Sequence, residues 1–103
     1  MADTIALTET TYYILLSLYR PLHGYGIMQR AAELSGGRVR LAAGTLYGAL
    51  NALVDKGWIA LLPGEGRKKE YRLTPRGLEV LKNELERLRE LVASGDMILK
   101  EEA

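Results

Sequence analysis

Cysteine is absent from the 103 residues, and histidine occurs once, as His23. No disulfide framework, thiolate zinc site or thiol nucleophile is therefore available, and a lone imidazole cannot pair with a second one around a metal. No cofactor is expected. Long apolar runs are also missing, since every stretch is interrupted within a few residues by Arg, Glu, Gly or Pro. No basic segment precedes a hydrophobic one at Met1 either, so the expectation is a soluble, cytoplasmic chain with no membrane partner. Catalytic spacing is lacking as well. Gly24 and Gly26 are followed by Gln29, and Gly64 and Gly66 by Lys69, so neither completes a dinucleotide-binding fingerprint, and there is no Walker loop. Ser17 lies in an apolar run while Ser35 and Ser94 lie in breaks, which leaves no nucleophile, base and orienting acid to assemble an active site. Catalysis is the class the sequence supports least.

What is present is one small domain. At this length a folded chain buries only about two-thirds of the surface exposed when unfolded, so a second chain is a natural source of further burial. Charge is divided along it. Arg20 to Arg76 carries ten basic and four acidic residues, a net +6, whereas Gly77 to Ala103 carries four and seven, a net −3. A basic middle suits a polyanion, and an acidic, leucine-rich end suits a partner helix.

The apolar pattern divides the chain into elements. Tyr12, Ile14, Leu15, Leu16, Leu18 and Tyr19 are dense enough for a mostly buried helix over Thr8–Tyr19, with Thr8 as N-cap and Pro21 as its end. A turn is expected at Leu22, His23 and Gly24, where His23 is placed to pack or cap. Ile27, Met28, Ala31, Ala32 and Leu34 then give a second helix one apolar face, and Ser35, Gly36 and Gly37 close it. The alternation Arg38, Val39, Arg40, Leu41 fits a brief strand or extended linker that points two arginines the same way.

Leu46, Ala49, Leu50, Leu53 and Val54 signal a third helix, with Gly57 in the position just past its end where a left-handed residue is cheapest. Its other face carries Thr45, Gly48, Asn51, Ala52 and Asp55. Trp58–Leu62 and Glu70–Thr74 read as the strands of a hairpin whose tip holds Arg67, Lys68 and Lys69. Thr74 then caps a long helix with Pro75 at its first position, although Gly77 stands where a capping box has Glu. Leu78, Leu81, Leu85, Leu88 and Val92 recur at alternating steps of three and four, the pattern of a helix packed along one seam, and Gly95 interrupts the next position. That narrow stripe calls for a long partner.

This order of elements is that of a winged helix-turn-helix: mainly α with a small β-hairpin, residues 1–76 forming the winged unit and 77–103 a C-terminal dimerisation helix, the two making one compact unit. A helix about 10–12 Å across fits the major groove, and a hairpin tip reaches the neighbouring backbone. On this reading Thr45, Gly48, Asn51 and Ala52 face base edges. Tyr47, Arg38, Arg40, Arg67, Lys68 and Lys69 meet phosphates. Leu78, Leu81, Leu85, Leu88 and Val92 form the dimer seam. Asn51 is the best direct reader because its amide can both donate to and accept from adenine. Arg38 and Arg40 could instead pair with Glu33 or Glu70, and Tyr12, Tyr13 and Tyr19 read as core or dimer packing. A protein-interaction winged helix and a low-specificity architectural DNA binder are the alternatives.

Three blocks carry a resemblance to the PadR family of transcriptional regulators: Leu22, His23, Gly24, Tyr25 with Ile27; Gly44, Thr45, Leu46, Tyr47 with Leu50 and Leu53; and Tyr71, Arg72, Leu73, Thr74 with Gly77 and Leu81. Lys56, Gly57, Trp58 and Ile59 join them, and the resemblance covers nearly the whole chain. It implies a homodimeric repressor that binds a double-stranded DNA operator, pairs through its C-terminal helix and can take a small-molecule effector at the dimer interface. Multidrug-responsive relatives carry a tryptophan on the terminal helix, whereas the only tryptophan here, Trp58, begins the hairpin.

Overall fold

The computed structural model describes residues 6–63 and 69–101. Helix α1, Glu9–Ser17, starts where Thr8 turns to extended backbone and its hydroxyl oxygen accepts the Thr11 N–H at 3.1 Å. Capping of this kind satisfies one of the donors that every helix start leaves open. Ser17 is buried in the core, yet its hydroxyl is not orphaned, because it donates to the Ile14 carbonyl at 2.6 Å.

Helix α2, Gly24–Leu34, is capped by a side chain of a less usual kind: His23 Nδ1 accepts the Gly26 N–H at 3.1 Å. The residues before it form a short strand, β1, at Leu22–His23, rather than the turn expected there. Strands β2, Ile59–Leu62, and β3, Glu70–Leu73, complete an antiparallel sheet in the order β1-β3-β2, with Leu22 opposite Tyr71 and Leu61 also opposite Tyr71. The third strand of this sheet is thus not the Arg38–Leu41 run. That run stays a linker because the Val39 N–H donates to Ser35 Oγ at 2.9 Å instead of to a ladder. Its alternation was still informative, since Val39 is buried while Arg38 and Arg40 are exposed.

Helix α3, Ala43–Asp55, buries Leu46, Leu50 and Leu53 and ends at Gly57, whose φ of 77° gives the left-handed turn into β2. Helix α4, Pro75–Glu101, starts on Thr74, whose hydroxyl oxygen accepts the Gly77 N–H at 3.0 Å while its hydrogen goes to the Gly57 carbonyl at 2.6 Å. The cap therefore also pins α4 to the turn before β2. Gly95 does not interrupt the helix, which runs on to Glu101.

One hydrophobic core joins Ile14 and Leu15 of α1, Leu18 just past its end, Ile27 of α2 and the inner face of α3 to Ile59 and Tyr71 of the sheet. Val80 and Leu81 of α4 close it. Leu81, one residue of the expected seam, is 6% exposed and belongs to that core. Burial lifts the Tyr71 hydroxyl above the usual phenol range. Past Leu88 every described residue of α4 is exposed. The extents of 58 × 34 × 20 Å and a radius of gyration of 15.6 Å, against about 13 Å for a compact chain of this size, reflect that protruding end. Among the described residues no helix is long and apolar enough to cross a membrane.

Candidate nucleic-acid interface

The sequence of α3 divides cleanly between two environments. Leu46 and Leu50 are fully buried, while Thr45, Tyr47, Gly48, Asn51, Ala52 and Asp55 are exposed on the other side. Apart from Tyr47, this face carries only Gly48 and the four small or medium side chains of Thr45, Asn51, Ala52 and Asp55. The two glycines of α3 are not demanded by packing, since a Cβ built on Gly44 or Gly48 would meet no atom within 4 Å. The N-cap, Ala42, supplies no side-chain acceptor, which leaves the first N–H groups of α3 without a side-chain partner from that residue.

Tyr47 is anchored at its ring and open at one edge. Its side chain lies over Gly24, where an added Cβ would stand 2.8 Å from the phenol ring carbon bearing the hydroxyl, yet the residue is 46% exposed. Gly24 is therefore a close-approach glycine that lets the start of α2 tuck beneath the aromatic side chain of α3. Tyr25, next along α2, is also exposed. Tyr25 was named with its neighbours in the sequence but not placed in the interface, although an aromatic following the Gly of a helix start, off the apolar face, is a usable signal.

The arginines before α3 are folded back on the protein. Arg38 pairs with Glu9 at 3.0 Å rather than with Glu33 or Glu70, and Arg40 Nε donates to the Gly37 carbonyl at 3.2 Å. Both guanidinium groups remain exposed. In the wing, Lys69 is exposed at the foot of β3, whereas Arg67 and Lys68 lie outside the described residues. Arg72, not expected as a DNA-contacting residue, is exposed on β3. The site thus gathers an uncluttered helix face, one anchored tyrosine and exposed cations on adjacent elements.

The family model for the transcriptional regulator PadR-like family matches residues 13–83, from α1 into α4. The chain belongs to this family. Among solved structures it is similar to a PadR family transcriptional regulator from Eggerthella lenta, with 29% identity over 88% of this chain and 80% of that one and a TM-score of 0.67. It is also similar to Bacillus subtilis PadR in complex with operator DNA, with 31% identity over 73% of this chain and 45% of that one and a TM-score of 0.62. Among curated proteins it is 44% identical over 64 residues to an uncharacterised 37.1 kDa protein in transposon TN4556 of Streptomyces fradiae. The match takes in 62% of this chain but spans only 18% of that relative's length.

The PadR-like match stops at residue 83, part-way along α4. Up to Leu88 this helix packs on the rest of the chain, and its one buried charge is Glu84, 2% exposed. That carboxylate accepts Arg87 Nε at 2.6 Å, Arg87 Nη2 at 2.8 Å and the Leu7 N–H at 3.1 Å. The Arg87 hydrogen bonds hold its carboxyl below the ordinary carboxylate range despite burial, which pushes the other way, and the Leu7 bond adds to the lowering. Glu84 ties the chain ahead of α1 to α4, a role no local pattern revealed. Farther on, Leu85 and Val92 of the expected seam are 39% and 61% exposed, Leu78 and Leu88 are half-buried, and Leu91, Met97, Ile98 and Leu99 are exposed as well.

Proposed function

We propose that this PadR-like chain is a homodimeric, sequence-specific binder of double-stranded DNA that represses transcription, with α3 in the major groove, the wing on the backbone and α4 pairing the subunits. The observation that carries this reading is the outer face of α3. A glycine in a helix interior costs about 1 kcal/mol relative to alanine, and Gly48 bears that cost with no neighbour requiring it. Close approach of an external surface accounts for it. On the same face Asn51 offers a paired donor and acceptor, and Ala52 and the Thr45 methyl suit a thymine methyl. Exposed cations beside the face supply the sequence-independent attraction.

Two further features support the reading. The operator complex of the similar Bacillus subtilis protein shows a PadR relative of this fold on DNA. The exposed apolar residues at the end of α4 suit pairing with a second copy, each buried leucine contributing roughly 1.5–3 kcal/mol. A small-molecule effector of such a dimer would find room in the cleft between α1 and α4, about 260 Å³, walled by Tyr12, Tyr13 and Leu88.

The test starts from a footprint on the DNA upstream of the protein's own gene. Asn51→Ala is expected to weaken binding to that operator by about 1–3 kcal/mol and to leave binding to random duplex nearly unchanged. Equal losses on both would make Asn51 a backbone contact and move specificity to DNA shape. A wild type without salt-sensitive DNA affinity would point to the protein-interaction module instead.

A further inference from the structure

Glu9 stands in the first turn of α1, where a carboxylate is favoured by the helix N-terminus. Its place is fixed from behind, because the Leu7 N–H is held by the buried Glu84. From the other side Arg38, in the segment leading into α3, reaches back so that its Nη2 lies 3.0 Å from Glu9 Oε2. The two side chains are 72% and 47% exposed, so the pair is solvated and contributes little to holding the fold. A guanidinium is as well matched to phosphate oxygens as to a carboxylate. The next arginine makes the contrast, since Arg40 leans on a neutral carbonyl and, among the described residues, pairs with no carboxylate.

We propose that Glu9 is an internal rival of DNA phosphate for Arg38, and that it sets both the affinity of the interface and the salt dependence of that affinity. The inference rests on the DNA-binding reading above. When a phosphate takes Arg38, the ion pair opens, and the lost pairing opposes binding. From the usual strength of exposed pairs, the opposition amounts to roughly 1.5- to 5-fold per subunit. In a two-fold complex the factors multiply to about 2- to 25-fold. Salt screens the pair, so the opposition fades as ionic strength rises.

The experiment is a double-mutant cycle on the full chain, with affinity for a random-sequence duplex of about three helical turns measured across a range of salt. Glu9→Gln keeps the shape of the side chain and removes its charge. It is expected to tighten binding by about 2- to 25-fold at low salt, with the gain shrinking as salt is added. Arg38→Ala is expected to weaken binding, and adding Glu9→Gln to it is expected to change nothing further. A gain from Glu9→Gln that persists in the Arg38→Ala background overturns the proposal, because the carboxylate then acts by general repulsion. No gain from Glu9→Gln, or no loss from Arg38→Ala, overturns it as well. Failure of the wild type to bind duplex in a salt-dependent way brings down the DNA-binding reading itself, which separates the two. Thermal unfolding of all four proteins, with Glu9→Ala as a second replacement, shows that the differences arise in the folded state.

Discussion

Gly77 gives the most direct test of how α4 is set on the winged body. An added Cβ would overlap the Trp58 carbonyl oxygen and lie 2.8 Å from its carbon and 3.2 Å from its Cα. These are backbone atoms and cannot swing aside. The same carbonyl already accepts the Thr74 N–H at 3.0 Å, and the Thr74 hydroxyl bridges the Gly57 carbonyl and the Gly77 N–H. Relieving the overlap in Gly77→Ala therefore lifts the start of α4 off the turn before β2 and stretches this set of hydrogen bonds. Overpacking costs typically 1–3 kcal/mol and each weakened hydrogen bond about 0.5–1.5 kcal/mol, against a helix-propensity gain of about 1 kcal/mol. The expected net loss is about 2–4 kcal/mol, or roughly 10–25 °C in Tm for a chain of this size. Circular dichroism melting measures it, with Gly48→Ala as the control. Open space surrounds Gly48, so that change is expected to raise Tm by several degrees, worth about 1 kcal/mol. A Gly77→Ala protein that melts within about 1 kcal/mol of wild type refutes the packing argument.

Acid sensitivity is expected at Glu84. Because its folded pKa is depressed, the stability it contributes is fully present above the unfolded carboxylate value, about 4.3, and is lost as pH falls through the lower folded value. Urea midpoints of wild type and Glu84→Gln are expected to converge as the solution is acidified below that range; a difference that stays constant with pH would assign the effect to packing. For the proposed dimer, replacing Leu85 and Leu88 with Glu is expected to give monomers in sedimentation at micromolar concentration, since exposed apolar area is lost and carboxylates entering an interface bear a desolvation penalty. A wild type already monomeric at that concentration overturns the pairing.

The parts of the fold legible in the sequence are those whose causes lie within a few residues of one another. Thr8, His23, Gly57 and Thr74 each act on an N–H or a backbone angle next to them, so caps and turns can be read locally. The outer face of α3 follows largely from period, because what is not Leu46, Leu50 or Leu53 points away, although Val54, expected on the apolar face, is exposed. What escaped depends on partners far along the chain. Two residues have no period to show, so β1 at Leu22–His23 could be found only through its pairing with Tyr71 and Glu70. Arg38–Leu41 had the period of a strand without the neighbour that makes one, since alternation records where side chains go and not where N–H groups bond. Glu84 looked like one charge among many on a charged helix, and Leu7, the residue that explains its burial, is 77 positions away.

The seam on α4 shows the same limit in a form that bears on function. A repeat of three and four says that Leu78, Leu81, Leu85, Leu88 and Val92 share a face, but it cannot say which core that face serves. In the folded chain Leu81 is buried and Leu88 half-buried against the chain's own domain, together with Gly77, Val80 and Glu84. Leu85 and Val92, seven residues apart, lie on the open side and grow more exposed along the helix. One stripe therefore has two edges, the inner one fixing the direction in which α4 leaves the body and the outer one free for a second copy. In the proposed two-fold dimer that direction would set the separation of the two α3 helices, and half-sites would have to recur near one turn of DNA, about 34 Å, for both to enter the major groove as proposed. A change at Leu81 or Gly77 would then act on the spacing of the readers through the fold, whereas a change at Leu85 or Val92 would act on whether two readers meet at all.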